Sequence, residues 1–201
     1  LMIPITEAVK HLLILNILVF LGTTTLMNED RYVLALFYPE SPFFHPWQLV
    51  THMFMHANLS HLMFNMLSLF FIGPMMENSL GTKRFVTFFA VCGFGGAMLH
   101  LAFKWYQIQI NGDYSQMNVP ALGASGAING LFVGLAYLFP NIELYLMLIP
   151  FPIKAKYLAI FTLAADLLWG LSGQSTGIAH FAHLGGALFG FLLLLYWTRK
   201  R

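Results

Sequence analysis

Six stretches of this chain are apolar for close to the length that a lipid bilayer demands. They run over residues 9–27, 60–78, 83–103, 123–139, 155–170 and 180–198. A hydrocarbon core of about 30 Å asks for about 20 residues of helix, and backbone inside lipid must satisfy its own polar groups. The expected fold is therefore an all-α membrane protein, a six-transmembrane-helix bundle forming one domain over residues 1–201. Charge content agrees: 9% of residues are charged, against about 25% in soluble domains. Pro140 and Pro152 break the chain between the fourth and fifth stretches. The single cysteine, Cys92, excludes an internal disulfide and a Cys-rich metal site. It lies in an apolar run and reads as an inert core residue. The first apolar run is followed by Glu29 and Asp30 and lacks a clear small-residue cleavage site, so it is not read as a cleavable signal peptide.

Six crossings sort the charges. Lys10, Lys83, Arg84, Lys154, Lys156, Arg199, Lys200 and Arg201 fall on one side, and only Arg31 and Lys104 on the other. The positive-inside rule then puts both termini in the cytoplasm. The first outer loop, 28–59, mixes Pro, His and aromatics with little charge. Phe43, Phe44 and Trp47 suit a membrane interface, so this loop is expected to be partly submerged. Non-helical backbone at that depth must be covered by protein or face water, which hints at a watery cavity on the outer side. The inner connection "NIELYLMLIPFPIKAK" is also expected to be interfacial.

Polar residues are costly inside such spans, and here they share a level. His61 and Asn65 lie four apart on the second span, Ser125 and Asn129 four apart on the fourth, and His180 and His183 open the sixth. Ser125 to Pro140 covers ~22 Å at 1.5 Å per residue, while His183 to Arg199 and His61 to Glu77 each cover ~24 Å. All three sets thus fall in the outer third of the bilayer. Intramembrane ionisable residues are functional candidates by default. Gly126, Gly130 and Gly134 form a small-residue stripe, matched by Gly186 and Gly190. Such stripes let helices approach closely and would bring Ser125 and His183 within bonding reach.

A serine hydroxyl becomes a nucleophile when a neighbouring base takes its proton, and His183 is the candidate base. Attack on an amide builds charge on the carbonyl oxygen, which needs donors fixed in advance. The free N–H groups at the helix start by Ser125 and the side chains of His61 and Asn65 are candidates. Asp166 is expected to reach His183 only if its helix ends early, so a Ser–His dyad is expected. Glu77 is expected to pair with cationic groups at the inner interface. His52, His56, His100 and His180 read as structural or water-binding.

The motifs "HANLSHLMFN" at 56–65, "GASG" at 123–126 and "AHLGGALFG" at 182–190, in this order on alternate spans, resemble those of the rhomboid intramembrane serine proteases of bacteria. The resemblance covers nearly the whole chain. It implies six helices, Ser125 as nucleophile, His183 as base, His61 and Asn65 as oxyanion donors, and no metal or cofactor. It implies transmembrane proteins as substrates, cut near the outer end of their helices and admitted beside the fifth helix and the cap loop near 170–179. A bacterial inner-membrane location follows, with membrane lipid as partner, no nucleic acid, and the oligomeric state open. Two positions depart from the family pattern. Gln48 follows Trp47 where Arg is common, leaving the pinning of the first loop open. Asn129 stands where some relatives stack an aromatic on the base, so His183 must be oriented otherwise, by Asn129 or His180.

Two other classes of function stand beside this one. A membrane metalloenzyme would use the histidines of "HMFMH" and "HFAH", but no HExxH run is present. A non-catalytic relative binding membrane segments would be expected to have lost Ser125 or His183, and both are present.

Overall fold

The computed structural model describes residues 4–27, 31–145, 151–172 and 176–199. Among them the chain is mostly helical. The helices are α1 (Glu7–Thr25), α2 (Gln48–Thr51), α3 (Leu59–Leu80), α4 (Thr82–Trp105), α5 (Ser125–Leu138), α6 (Ala155–Leu171) and α7 (His180–Arg199). All six apolar stretches are helical, with ends within four residues of expectation. α1, α3, α4 with its continuation to Ile110, and α7 are long and apolar enough to cross a membrane. α5, at 14 residues, and α6, at 17, are shorter than the ~20 residues of a straight span. The six-span expectation thus meets four full-length helices and two short ones. Glu29, Asp30, Lys200 and Arg201 lie outside the described residues, as does the centre of the cap loop.

Local chemistry sets the helix ends. Asn58 caps α3, its Oδ1 accepting the His61 N–H at 2.8 Å. Gly81, with φ of 78°, turns the chain from α3 into α4. The inner connection forms a small antiparallel hairpin, with Glu143 opposite Lys154 and Leu144 opposite Ile153; residues 146–150 lie outside the described residues. Two-residue strands carry no readable period, so the sequence offered no sign of them.

The core lies between α3, α4, α5 and α7, where Leu69, Met76, Phe85, Phe88, Leu131 and Leu135 are buried. Cys92 is buried there too. α6 packs mainly on α7 and α5, and leaves Phe161 and Leu168 exposed on its other side.

Glu77 corrects its expectation. Among the described residues its carboxylate meets no cation; it accepts the backbone N–H groups of Ala8 and Val9, each at 3.1 Å, and the hydroxyls of Thr6 and Thr82. It caps α1 from another helix, because the first N–H groups of any helix lack partners and favour negative charge. Glu77→Ala would strand buried donors, so a loss of ~2–4 kcal/mol in unfolding free energy is expected in detergent. A melt unchanged from the parent protein would show that α1 is anchored elsewhere.

The first loop is pinned by the residue that departs from the family pattern. The buried Gln48 amide donates to the carbonyls of Val33 (3.1 Å) and Phe43 (2.9 Å) and accepts the Phe37 N–H (3.3 Å). Thr51 adds a bond to the Leu34 carbonyl, and Arg31 donates to that of Ala57. Of the three aromatics expected at an interface, Phe43 and Trp47 are exposed, while Phe44 is half-buried and packs on the clusters that hold Phe37 and Leu36. Leu36 and Ala121 exchange two backbone bonds of 2.8 Å, tying this loop to the segment before α5.

Candidate active site

Glycine determines how close the site's helices come. A Cβ at Gly186 would collide with the Gly126 carbonyl, and one at Gly185 with the Gly95 carbonyl. One at Gly96 would lie 2.7 Å from the carbonyl oxygen of Ala182. α4, α5 and α7 therefore touch backbone to backbone. The stripes on α5 and α7 were legible in the sequence. The contribution of α4, through Gly95 and Gly96, was not, because "GFGG" lacks the four-residue spacing.

Ser125 is the first residue of α5 and precedes Gly126; His183 lies three residues before Gly186. The close approach brings them together, with Ser125 Oγ 2.8 Å from His183 Nε2. Gly123, with φ of 115°, shapes the turn before Ser125, and its N–H donates to the His52 carbonyl at 2.9 Å. A side chain at Gly123 would strike the His61 ring, whose Nε2 would lie 2.7 Å from the added Cβ, with Ser125 Oγ 3.8 Å from it. Glycine here thus holds the His61 imidazole beside the serine. Asn65 is buried, and its amide donates to the His61 carbonyl at 2.8 Å.

Asp166 corrects the expectation that no carboxylate reaches His183. α6 does not end early; it continues to Leu171. Even so, His183 Nδ1 lies 3.0 and 3.1 Å from the two Asp166 oxygens. The physical reason is the α6–α7 hairpin. Asp166 is five residues before the end of α6 and His183 three after the start of α7, depths of ~7.5 and ~4.5 Å, and side chains bridge that difference. His180, one turn from His183, places Nδ1 2.7 Å from the same carboxylate and Nε2 2.7 Å from Thr176 Oγ1. Asn129 does not orient His183; its amide turns back to the Ser125 carbonyl at 3.0 Å.

The remaining histidines divide by place. His52 Nδ1 donates to the Gln48 carbonyl at 2.8 Å, and burial pushes its pKa down to about 4. His56, also pushed down to about 4 by burial, packs edge-on against His61 with ring centroids 5.0 Å apart. Both are neutral around pH 7, fitting a structural reading. A cavity of about 1210 Å³ is lined by Ser125, His183, His61, Asn65, His100 and His180, among others. Asp166, His180 and His183 are the group of three donors among the described residues that could gather around a metal ion, with ligand atoms within 4.8 Å of one another. The "HMFMH" histidines take no part in it.

Comparison with known proteins bears on what this arrangement is. The Rhomboid domain model matches residues 44–200. RHOMBOID-like protein 4 of Arabidopsis thaliana is 34% identical over 149 residues, 73% of this chain and 33% of that protein. RHOMBOID-like protein 12, mitochondrial, of the same plant is 30% identical over 159 residues, 76% of this chain and 46% of that protein. Rhomboid protease AarA of Providencia stuartii is 29% identical over 160 residues, covering 73% and 54%. The chain spans about a third to a half of the length of the curated relatives it matches. With its apolar helices and a family match over most of its length, the chain is an integral membrane protein that belongs to the rhomboid family.

Proposed function

We propose that this protein is an intramembrane serine endopeptidase that hydrolyses peptide bonds in or near the transmembrane segments of other membrane proteins. The observation that carries this reading is the 2.8 Å contact between Ser125 Oγ and His183 Nε2 on the wall of a large cavity. The kinship with a named rhomboid protease supports it.

In this reading Ser125 Oγ attacks the scissile carbonyl carbon while its proton passes to His183 Nε2. The new C–O bond leaves a negative oxygen, met by backbone N–H groups at the start of α5 and by His61 and Asn65. The C–N bond then breaks, and His183 returns the proton to the leaving amine. Water, deprotonated by the same imidazole, cleaves the acyl-enzyme and restores Ser125. Six crossings, both termini inside, and a bacterial inner membrane complete the proposal. Short α5 and α6 fit it where neighbouring helices and a water-filled cavity, rather than lipid, surround their ends.

The test is covalent labelling by a fluorophosphonate in detergent, with and without chelator. Labelling that Ser125→Ala abolishes and chelator leaves intact is the expected result. The cluster of Asp166, His180 and His183 keeps a metalloenzyme as the second reading. Hydrolysis that survives Ser125→Ala but stops with chelator would favour it. His61→Ala and Asn65→Ala are each expected to slow turnover by ~10²–10³. Parent-like rates in both variants would remove these two from the oxyanion site.

A further inference from the structure

The geometry points to Asp166 as a positioning residue: its carboxylate, brought in from α6, holds His183 in the one tautomer that can accept the serine proton. This inference rests on the proposed serine-protease reading and goes beyond a Ser–His pair.

With Asp166 ionised and both imidazoles neutral, the hydrogen bonds admit a single consistent assignment of protons. A carboxylate only accepts, so His183 donates its Nδ1–H to Asp166, 3.0 and 3.1 Å from the two oxygens. Its Nε2 is then bare in the neutral ring and faces the Ser125 hydroxyl at 2.8 Å. His180 donates its Nδ1–H to the same Asp166 oxygen at 2.7 Å. Its own Nε2 is therefore also bare, and accepts from the Thr176 hydroxyl at 2.7 Å. Thr176 Oγ1 in turn accepts the Ile178 N–H at 3.2 Å. Every proton in the chain from Thr176 to Ser125 has one place, and all of them are directed by one anion.

Asp166 is 8% exposed. A carboxylate so buried persists when donors compensate its desolvation, and two imidazole N–H groups do so here. When Ser125 gives up its proton, His183 becomes an imidazolium, and the adjacent negative charge stabilises it. The Nδ1 proton stays on His183 throughout and is not passed to Asp166. His180 acts at one remove: it bonds an Asp166 oxygen that His183 also bonds and keeps the carboxylate aimed. A purely structural clamp between α6 and α7 would need neither the double contact with His183 Nδ1 nor this fixed direction of donors.

The test compares Asp166→Asn and Asp166→Ala with the parent protein, reading kcat and KM on a transmembrane peptide, the rate of Ser125 labelling by fluorophosphonate, and the melting temperature. The amide keeps the shape but not the charge. In a soluble serine protease the same exchange at the orienting carboxylate costs about 10⁴ in kcat. Here kcat and the labelling rate are expected to fall together by ~10²–10⁴, with KM within about twofold. Added formate, a small carboxylate, is expected to restore part of the labelling rate in Asp166→Ala and to leave Asp166→Asn unchanged. Parent-like labelling of Asp166→Asn would overturn the inference and leave the protease reading standing. So would a loss in Asp166→Ala that tracks a lowered melting temperature and does not respond to formate. A parent protein that is never labelled at Ser125 would remove both.

Discussion

Ser125→Ala is expected to lower turnover of a membrane-embedded peptide by ~10⁴–10⁶, and His183→Ala by about the same factor. The double variant should be no slower than either single one. Nucleophile and base linked by one hydrogen bond act as a unit, so losing either leaves only binding and the oxyanion donors. The 2.8 Å contact makes the two residues a unit in the ground state. Rates followed in liposomes with a fluorogenic transmembrane peptide would check this. Losses that multiply in the double variant would mean that the two side chains serve separate steps, and the proposed mechanism would fail.

Gly186→Ala is expected to cost ~3 kcal/mol of stability, at the upper end for overpacking, and to suppress Ser125 labelling. The added methyl meets the backbone carbonyl of Gly126 rather than a side chain that could rotate away. Relief requires α5 and α7 to separate, which pulls Ser125 from His183. Gly22→Ala on α1 is the control, because nothing lies within 4 Å of a Cβ placed there. Its expected effect is neutral to slightly stabilising, since alanine favours helix. Equal melts and equal labelling for the two variants would show that the glycine contact does not govern the site.

Lipid imposes length and apolarity on anything that crosses it, so the helices were legible within a few residues. Polar groups at a common depth were legible for the same reason: lipid makes each one costly. Asp166 was missed because its reach depends on how two antiparallel helices are staggered across a connection, and no local pattern encodes that stagger. Gln48 was seen only as a departure from arginine. Its three backbone bonds form because the loop folds around the amide. Glu77 was assigned a cationic partner from its inner position, yet it caps a helix about 70 residues away in sequence. In each case the partner is a backbone group or a distant side chain whose position only the assembled bundle determines.

The paired backbones of Leu36 and Ala121, with the Gly123 N–H held by the His52 carbonyl, weld the first loop to the turn that presents Ser125. A shift of the segment that carries Phe43 and Trp47 would therefore reach the turn before Ser125 through these main-chain bonds. In the proposed function the loop would act as a lever arm, and substitution of the exposed Trp47 is expected to register as a defect in rate.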